Sequence, residues 1–165
     1  MRDGIIRKLS PYLASSALVI AGVMLGGKDG LEGRKYVAYR DVVGVLTVCD
    51  GHTGSDIIPN KKYTDKECDA LLNADLNSVA IRVDPHIKVQ IPNTQRAAIY
   101  SFAYNVGAQA FINSTMLKKL NAGDRLGSCE ELKRWTYAGG VKWKGLMNRR
   151  EVEQEVCEWG QKHVR

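Results

Sequence analysis

The chain has 165 residues, 44% of them apolar and 25% charged, a balance that supports one compact, well-cored body and excludes disordered and fibrous classes. Its net charge of +6 favours a polyanionic partner (nucleic acid, anionic lipid or an acidic cell-wall polymer) without choosing among them. No zinc-finger, RNP-type or P-loop pattern is present, and Cys49, Cys68, Cys129 and Cys157 include no CxxC, which argues against a metal site.

At the N-terminus Arg2, Arg7 and Lys8 precede a run, residues 9–27, that carries no charge. A helix of that length just crosses a hydrocarbon core of ~30 Å, yet Ser10, Pro11, Ser15, Ser16, Gly22, Gly26 and Gly27 make it weakly hydrophobic. The basic flank predicts a cytoplasmic N-terminus and a periplasmic body. No convincing A-x-A cleavage site precedes Lys28, so cleavage is not expected. The favoured reading is a reversible membrane anchor; the competing one is an ordinary buried helix from Leu13 to Leu25. Ser15, Gly22 and Gly26 share one helical face, which would permit close packing against a second helix or the body.

Beyond Gly30 a short helix end carrying Glu32 is expected, followed by apolar and β-branched residues from Tyr36 to Val48 that read as a small antiparallel sheet. The turn DGHTG (50–54) and then Pro59 and Asn60 close it. Thr64 and Glu67 make a capping box, and Cys68, Leu71, Leu72, Leu76, Val79, Ala80 and Val83 recur at helical spacing until Asp84-Pro85. Thr94 to Val106 reads as a buried helix ended by Gly107. Ser114 and Asp124 look like N-caps, the first of those helices stopping at Gly123, and a last helix is expected from about Asn148 to Trp159. If the body lies outside the cytoplasm disulfides become available; three pairings are open, and Cys49 with Cys68 plus Cys129 with Cys157 is preferred.

Cleaving a glycosidic bond needs one protonated carboxyl to donate to the leaving oxygen and one ionised carboxyl to activate water or attack the anomeric carbon. Glu32 stands nine residues before Asp41, and Thr47 follows six residues later. In a chain with 18 acidic residues that spacing alone describes ordinary surface groups. The longer run EGRKYVAYRDVVGVLTVCDGHTG (32–54), however, resembles the active-site signature of the T-even-type phage lysozyme family. TDKECDALLNADL (64–76) is similar to that family's interdomain helix and QRAAIYSFAYNVG (95–107) to its buried central helix, while KRW, ending at Trp135, resembles its C-terminal lobe.

The resemblance implies an α+β, two-lobed lysozyme fold within a catalytic domain at residues 29–165. A small β-sheet lobe (about 32–62) and a larger helical lobe (about 84–160) would be joined by a long helix (about 64–83). It implies Glu32 as general acid, with Asp41 and Thr47 holding the attacking water on the opposite face of the sugar. That is an inverting arrangement, for which carboxyls ~6.5–9.5 Å apart are required. Asn105 and Phe111 are implied as groove residues, His52 with Asp75 as a structural pair, and either Arg149 or Arg150 as the cation meeting Glu32. No cofactor is implied. The added segment, residues 1–28, is similar to the N-terminal signal-anchor helix of the signal-arrest-release endolysins of lambdoid phages. Carried over, it would hold the enzyme in the host inner membrane through residues 9–27 after export by the host secretion machinery, then leave the bilayer. The expected product is a monomeric phage endolysin, a muramidase acting on peptidoglycan, with no nucleic-acid partner. A catalytically silent wall-binding module on the same fold is the alternative.

Overall fold

The computed structural model describes residues 2–162. The N-terminal run is not one helix. A short amphipathic helix α1 (Arg2–Leu9) buries Ile5 and Leu9, a 3-10 turn follows at Ser10–Tyr12, and α2 spans Ala17–Leu25. Pro11 sits at the start of the 3-10 turn, and Ser16 caps α2 by accepting from the Val19 amide. Proline and a serine cap both favour a helix start, so they break the apolar run into two pieces. No helix among the described residues is long and apolar enough to cross a membrane.

Helix α2 lies inside the protein. Ile20, Ala21, Met24 and Leu25 are fully buried, packed against α3 (Asp65–Val83) and α4 (Asn93–Val106). Gly22 of α2 and Gly26, its C-cap, face α3. A Cβ on Gly22 would meet Leu76 Cδ1 at 3.9 Å, and one on Gly26 would meet Leu72 Cδ2 at 2.8 Å. Close backbone approach is what glycine at this spacing permits, and here the partner is the protein's own helix. The Gly26 carbonyl accepts from Lys8 Nζ at 3.0 Å, so the basic flank of the sequence closes the C-terminal end of α2.

A three-stranded antiparallel sheet follows, in the order β1 (Lys35–Arg40), β2 (Leu46–Cys49), β3 (His52–Thr53). Its hairpin pairs Tyr39 with Thr47 and Arg40 with Leu46. Beneath it lies a small core of Val48, Cys49, Ile57, Tyr63 and Cys68. Helix α3 begins at the Thr64–Glu67 capping box and carries buried residues at helical i, i+3/i+4 spacing: Cys68 and Leu72, then Leu76, Ala80 and Val83. Cys68 belongs to the small core and the others to the large one, so this single helix connects both.

The large core is built around α4, in which Thr94, Gln95 and all of residues 97–103 are buried. Ser114 and Asp124 cap α6 (Thr115–Asn121) and α7 (Arg125–Glu130) through the amides of Leu117 and Gly127. A short α5 (Ala108–Ile112) and a two-stranded hairpin, β4 (Tyr137–Ala138) with β5 (Val141–Lys142), lack a periodic signal in the sequence. Helix α8 starts at Lys144 rather than Asn148 and runs to Lys162; Gly145 in its first turn hides that start. The cysteines pair as Cys49–Cys68, which ties β2 to α3, and Cys129–Cys157, which ties α7 to α8.

Candidate active site

Glu32 lies in a turn, not on a helix end, because Gly27 and Gly33 adopt left-handed backbone and end helical continuation. The turn is nevertheless held by α2. The Leu31 amide donates to Met24 O at 2.9 Å and the Glu32 amide to Leu25 O at 3.4 Å, satisfying the last carbonyls of the helix. The Glu32 side chain retains 17% exposure, and Oε1 accepts from Nη1 of Arg149 on α8 at 2.6 Å. Oε2 faces Gly51, whose backbone is left-handed (φ +85°) and where a Cβ would stand 3.1 Å from that oxygen. Any side chain at position 51 would be both strained and in contact with the carboxylate. Tyr104 flanks the same pair and fixes its own ring by donating to Asp50 O at 2.7 Å.

Asp41 opens the β1–β2 turn, and the sequence DVVGV folds around it. Its Oδ1 accepts from the amides of Val43 at 3.0 Å and Val45 at 2.8 Å. Thr47, buried on β2, donates its hydroxyl to Val45 O at 3.0 Å. Glu32 and Asp41 are brought together electrostatically at Tyr39. Burial raises that phenol above its ordinary value of 10.0, and the negative charges of Glu32 and then Asp41 add to the rise. Both carboxyl charges therefore act on one phenol of β1, with Thr47 paired directly across from it.

Of the two arginines, Arg149 meets Glu32. Arg150 instead donates to Trp135 O, Glu153 Oε1 and Asn105 Oδ1, and lies 5.0 Å from the Phe102 ring centre. Asn105 is exposed at the end of α4, with its carbonyl taken by that arginine. Phe111 does not line a groove. It is completely buried, edge-on to Phe102 at 6.5 Å between ring centres, and belongs to the large core; an aromatic within an apolar run is a packing residue before it is a ligand contact.

His52 is held between Asp75, on Nδ1 at 2.8 Å, and Asp56, on Nε2 at 3.0 Å. Burial disfavours its charge, but the hydrogen bonds and charges of Asp56 and Asp75 outweigh it, and the imidazole titrates above its ordinary 6.5. Stability from this raised group is complete below the unfolded value and disappears as pH rises through the folded one. The melting-temperature gap between the native protein and His52→Gln is accordingly expected to be widest below the ordinary value of 6.5 and to narrow as pH rises beyond it, read by thermal melts across that range.

Arg34 is a central group that the sequence pattern does not mark. Nearly fully buried, it donates from Nε and Nη2 to Asp50 (2.7 Å for the closer), from Nη1 to Asp65 at 3.0 Å, and from Nη2 to Asp69 at 2.7 Å. Burial raises the Asp50 carboxyl, opposed by Arg34 and by the Gly27 amide that donates to it. One guanidinium thus links the end of α2, the β2–β3 turn beside Glu32, and the first turn of α3. Its partners lie 16 to 35 residues away in the chain, beyond any local periodicity.

The helical core, the sheet with its Asp-anchored turn, and a buried arginine facing a carboxylate define the chain as a member of the phage lysozyme family, whose model matches residues 29–153. Among its relatives, the SAR-endolysin of bacteriophage PS119 is 60% identical over 151 residues, covering 90% of each chain. The endolysin of Escherichia coli O157:H7 phage FAHEc1 has a similar structure, with 28% identity, a TM-score of 0.74 and coverage of 88% of this chain and 92% of that one. The active form of P1 phage endolysin Lyz shares the fold, with a TM-score of 0.77 over 100% of this chain and 97% of the other, at 21% identity.

Proposed function

We propose that this chain is a lytic endolysin that hydrolyses the β-1,4 bond between N-acetylmuramic acid and N-acetylglucosamine in peptidoglycan. The observation that carries this is the placement of Glu32: a half-buried carboxyl gripped by Arg149, flanked by Tyr104 and by a glycine that leaves its second oxygen open, and sharing Tyr39 with Asp41. In the proposed chemistry Glu32 donates its proton to the leaving oxygen. Asp41, its Oδ1 tied down by two amides, offers Oδ2 to the attacking water. Thr47, whose hydroxyl hydrogen points to Val45 O, accepts a hydrogen bond from that same water. Two lobes would close on the glycan, the sheet side carrying Asp41 and Thr47 and the helical side carrying Arg149 and Asn105, with α3 between them. Residues 1–28 would form the anchor segment and 29–165 the catalytic domain.

The same proposal covers life before lysis. Residues 9–27 hold the enzyme in the host inner membrane after export, with the catalytic body in the periplasm, and on leaving the bilayer they fold back as the 3-10 turn and α2; the described structure corresponds to the released, soluble monomer. The burial of Ile20, Met24 and Leu25 supports that reading, because those side chains complete the large core only when the segment is out of the membrane. Digestion of purified sacculi followed by borohydride reduction tests the activity. New N-acetylmuramic acid reducing ends are expected, appearing first as the α-anomer by NMR and giving muramitol on reduction, whereas glucosaminitol or the absence of new reducing ends would overturn the assignment.

A further inference from the structure

Glu153, on α8, is a fully buried carboxylate that the proposed chemistry does not use. Its Oε2 accepts from the Ser101 hydroxyl at 2.6 Å and its Oε1 from Arg150 Nη1 at 2.5 Å. Oε2 also stands 3.6 Å from Nε of Arg149, the one arginine nitrogen among the described residues that is buried without a hydrogen bond. Arg149 is thus placed between two carboxylates: Glu32, bonded at 2.6 Å, and Glu153, just out of reach.

That arrangement addresses a difficulty in the reaction. A guanidinium against a carboxylate favours the ionised form, and an ionised Glu32 cannot donate a proton. We infer that Glu153 is a positioning residue that takes up the charge of Arg149, so that Glu32 can hold its proton when substrate is bound. The inference rests on the reading of Glu32 as the general acid. A guanidinium movement of about half an ångström would bring Nε within ordinary hydrogen-bond range of Glu153 Oε2, from which it stands 3.6 Å away. Ser101, from α4, holds Oε2 in place to receive it, and Arg150 fills the other oxygen. The remaining charged and titratable groups facing this cluster are Tyr104 on α4 and Tyr39 on β1, which flank Glu32, with Asp50 and Asp75 acting on Tyr104. None of them bonds Arg149, so Glu153 is the group able to compete with Glu32 for it.

The test is the pH profile of full-length soluble enzyme on purified sacculi, comparing native protein, Glu153→Gln and Glu153→Asp. In Glu153→Gln the alkaline limb of kcat is expected to move down by about one pH unit, so that kcat at neutral pH falls about tenfold while KM stays within about twofold. Glu153→Asp keeps the charge and returns the limb toward its native position. A rate lowered equally at every pH, or an unmoved limb, overturns the inference. If Glu153→Gln loses its cooperative thermal transition, the charge-balanced variant Arg150→Met/Glu153→Gln carries the same expectation. In the native enzyme, carbon-detected NMR titration of labelled glutamate must show Glu153 ionised through the active pH range; a neutral Glu153 also overturns it. Glu32→Gln runs in parallel. Retained activity there removes the reading of Glu32 as general acid on which the inference rests, whereas an inactive Glu32→Gln beside an unshifted Glu153→Gln removes only the role of Glu153.

Discussion

Glu32→Gln is expected to give a folded protein whose release of muropeptides falls by about 10²- to 10⁴-fold, the range that one general acid supplies. The amide keeps the shape of the carboxyl and can still accept from Arg149 Nη1, so the contacts that place residue 32 survive. What is lost is the transferable proton. Arg149 is then opposed only by Glu153, and because Glu32 is a rim group with 17% of its side chain exposed, the change in melting temperature should be small beside the change in rate. Melting curves and sacculus-binding assays on the same preparation check this. A wall-binding module with no chemistry would lose neither binding nor lysis, since it has none to lose, and a variant that still lyses at the native rate would end the assignment of Glu32.

The second large effect concerns the N-terminus. A chain lacking residues 1–27 is expected to show no cooperative thermal transition and no lysis. Leu9, Ile20, Met24 and Leu25 are each buried to 1% exposure or less. Large apolar side chains contribute about 1.5–3 kcal/mol each on full burial, so these four together approach the whole net stability of an ordinary domain. Their removal would also uncover Leu72, Leu76 and the adjoining face of α4, and would delete the Gly27 amide from the Asp50–Arg34 cluster. Calorimetry and near-UV circular dichroism provide the measurement. A truncated chain that melts cooperatively and cleaves sacculi at the full-length rate would show that α2 is dispensable to both core and site.

Much of the framework is written locally. The Thr64–Glu67 box, the Ser114 and Asp124 caps and the apolar wheel from Thr94 to Val106 can be read from neighbours within four residues, which is the range over which caps and helix faces act. The chemistry was legible only through likeness to a family, since a glutamate and an aspartate nine residues apart are commonplace. Features that depend on distant partners stayed hidden. Arg34 carries no periodic signature, because its three aspartates come from another turn and another helix. Arg149 and Arg150 are adjacent in sequence but point to different partners, and only the path of α8 past Glu32 separates them. Phe111 reads equally as ligand contact or packing until Phe102 and Trp135 are seen stacked edge-on in one cluster with it. The unbroken uncharged run at residues 9–27 concealed a division that Pro11 and Ser16 impose.

Surface turns usually tolerate changes of length, since their backbones answer to solvent rather than to neighbours. The turn after α2 is different. Its two ends are the helix whose last carbonyls hold the Leu31 and Glu32 amides, and the Arg34 cluster that follows immediately. One residue more or fewer between Leu25 and Leu31 would carry residue 32 by about 3.3 Å, a full residue of extended chain, beyond the reach of Arg149. The stretch therefore works as a ruler, and among natural variants its residue count should hold together with Gly26, Gly27 and Gly30, where a side chain would meet a neighbour or strain the backbone, while positions 28 and 29 drift.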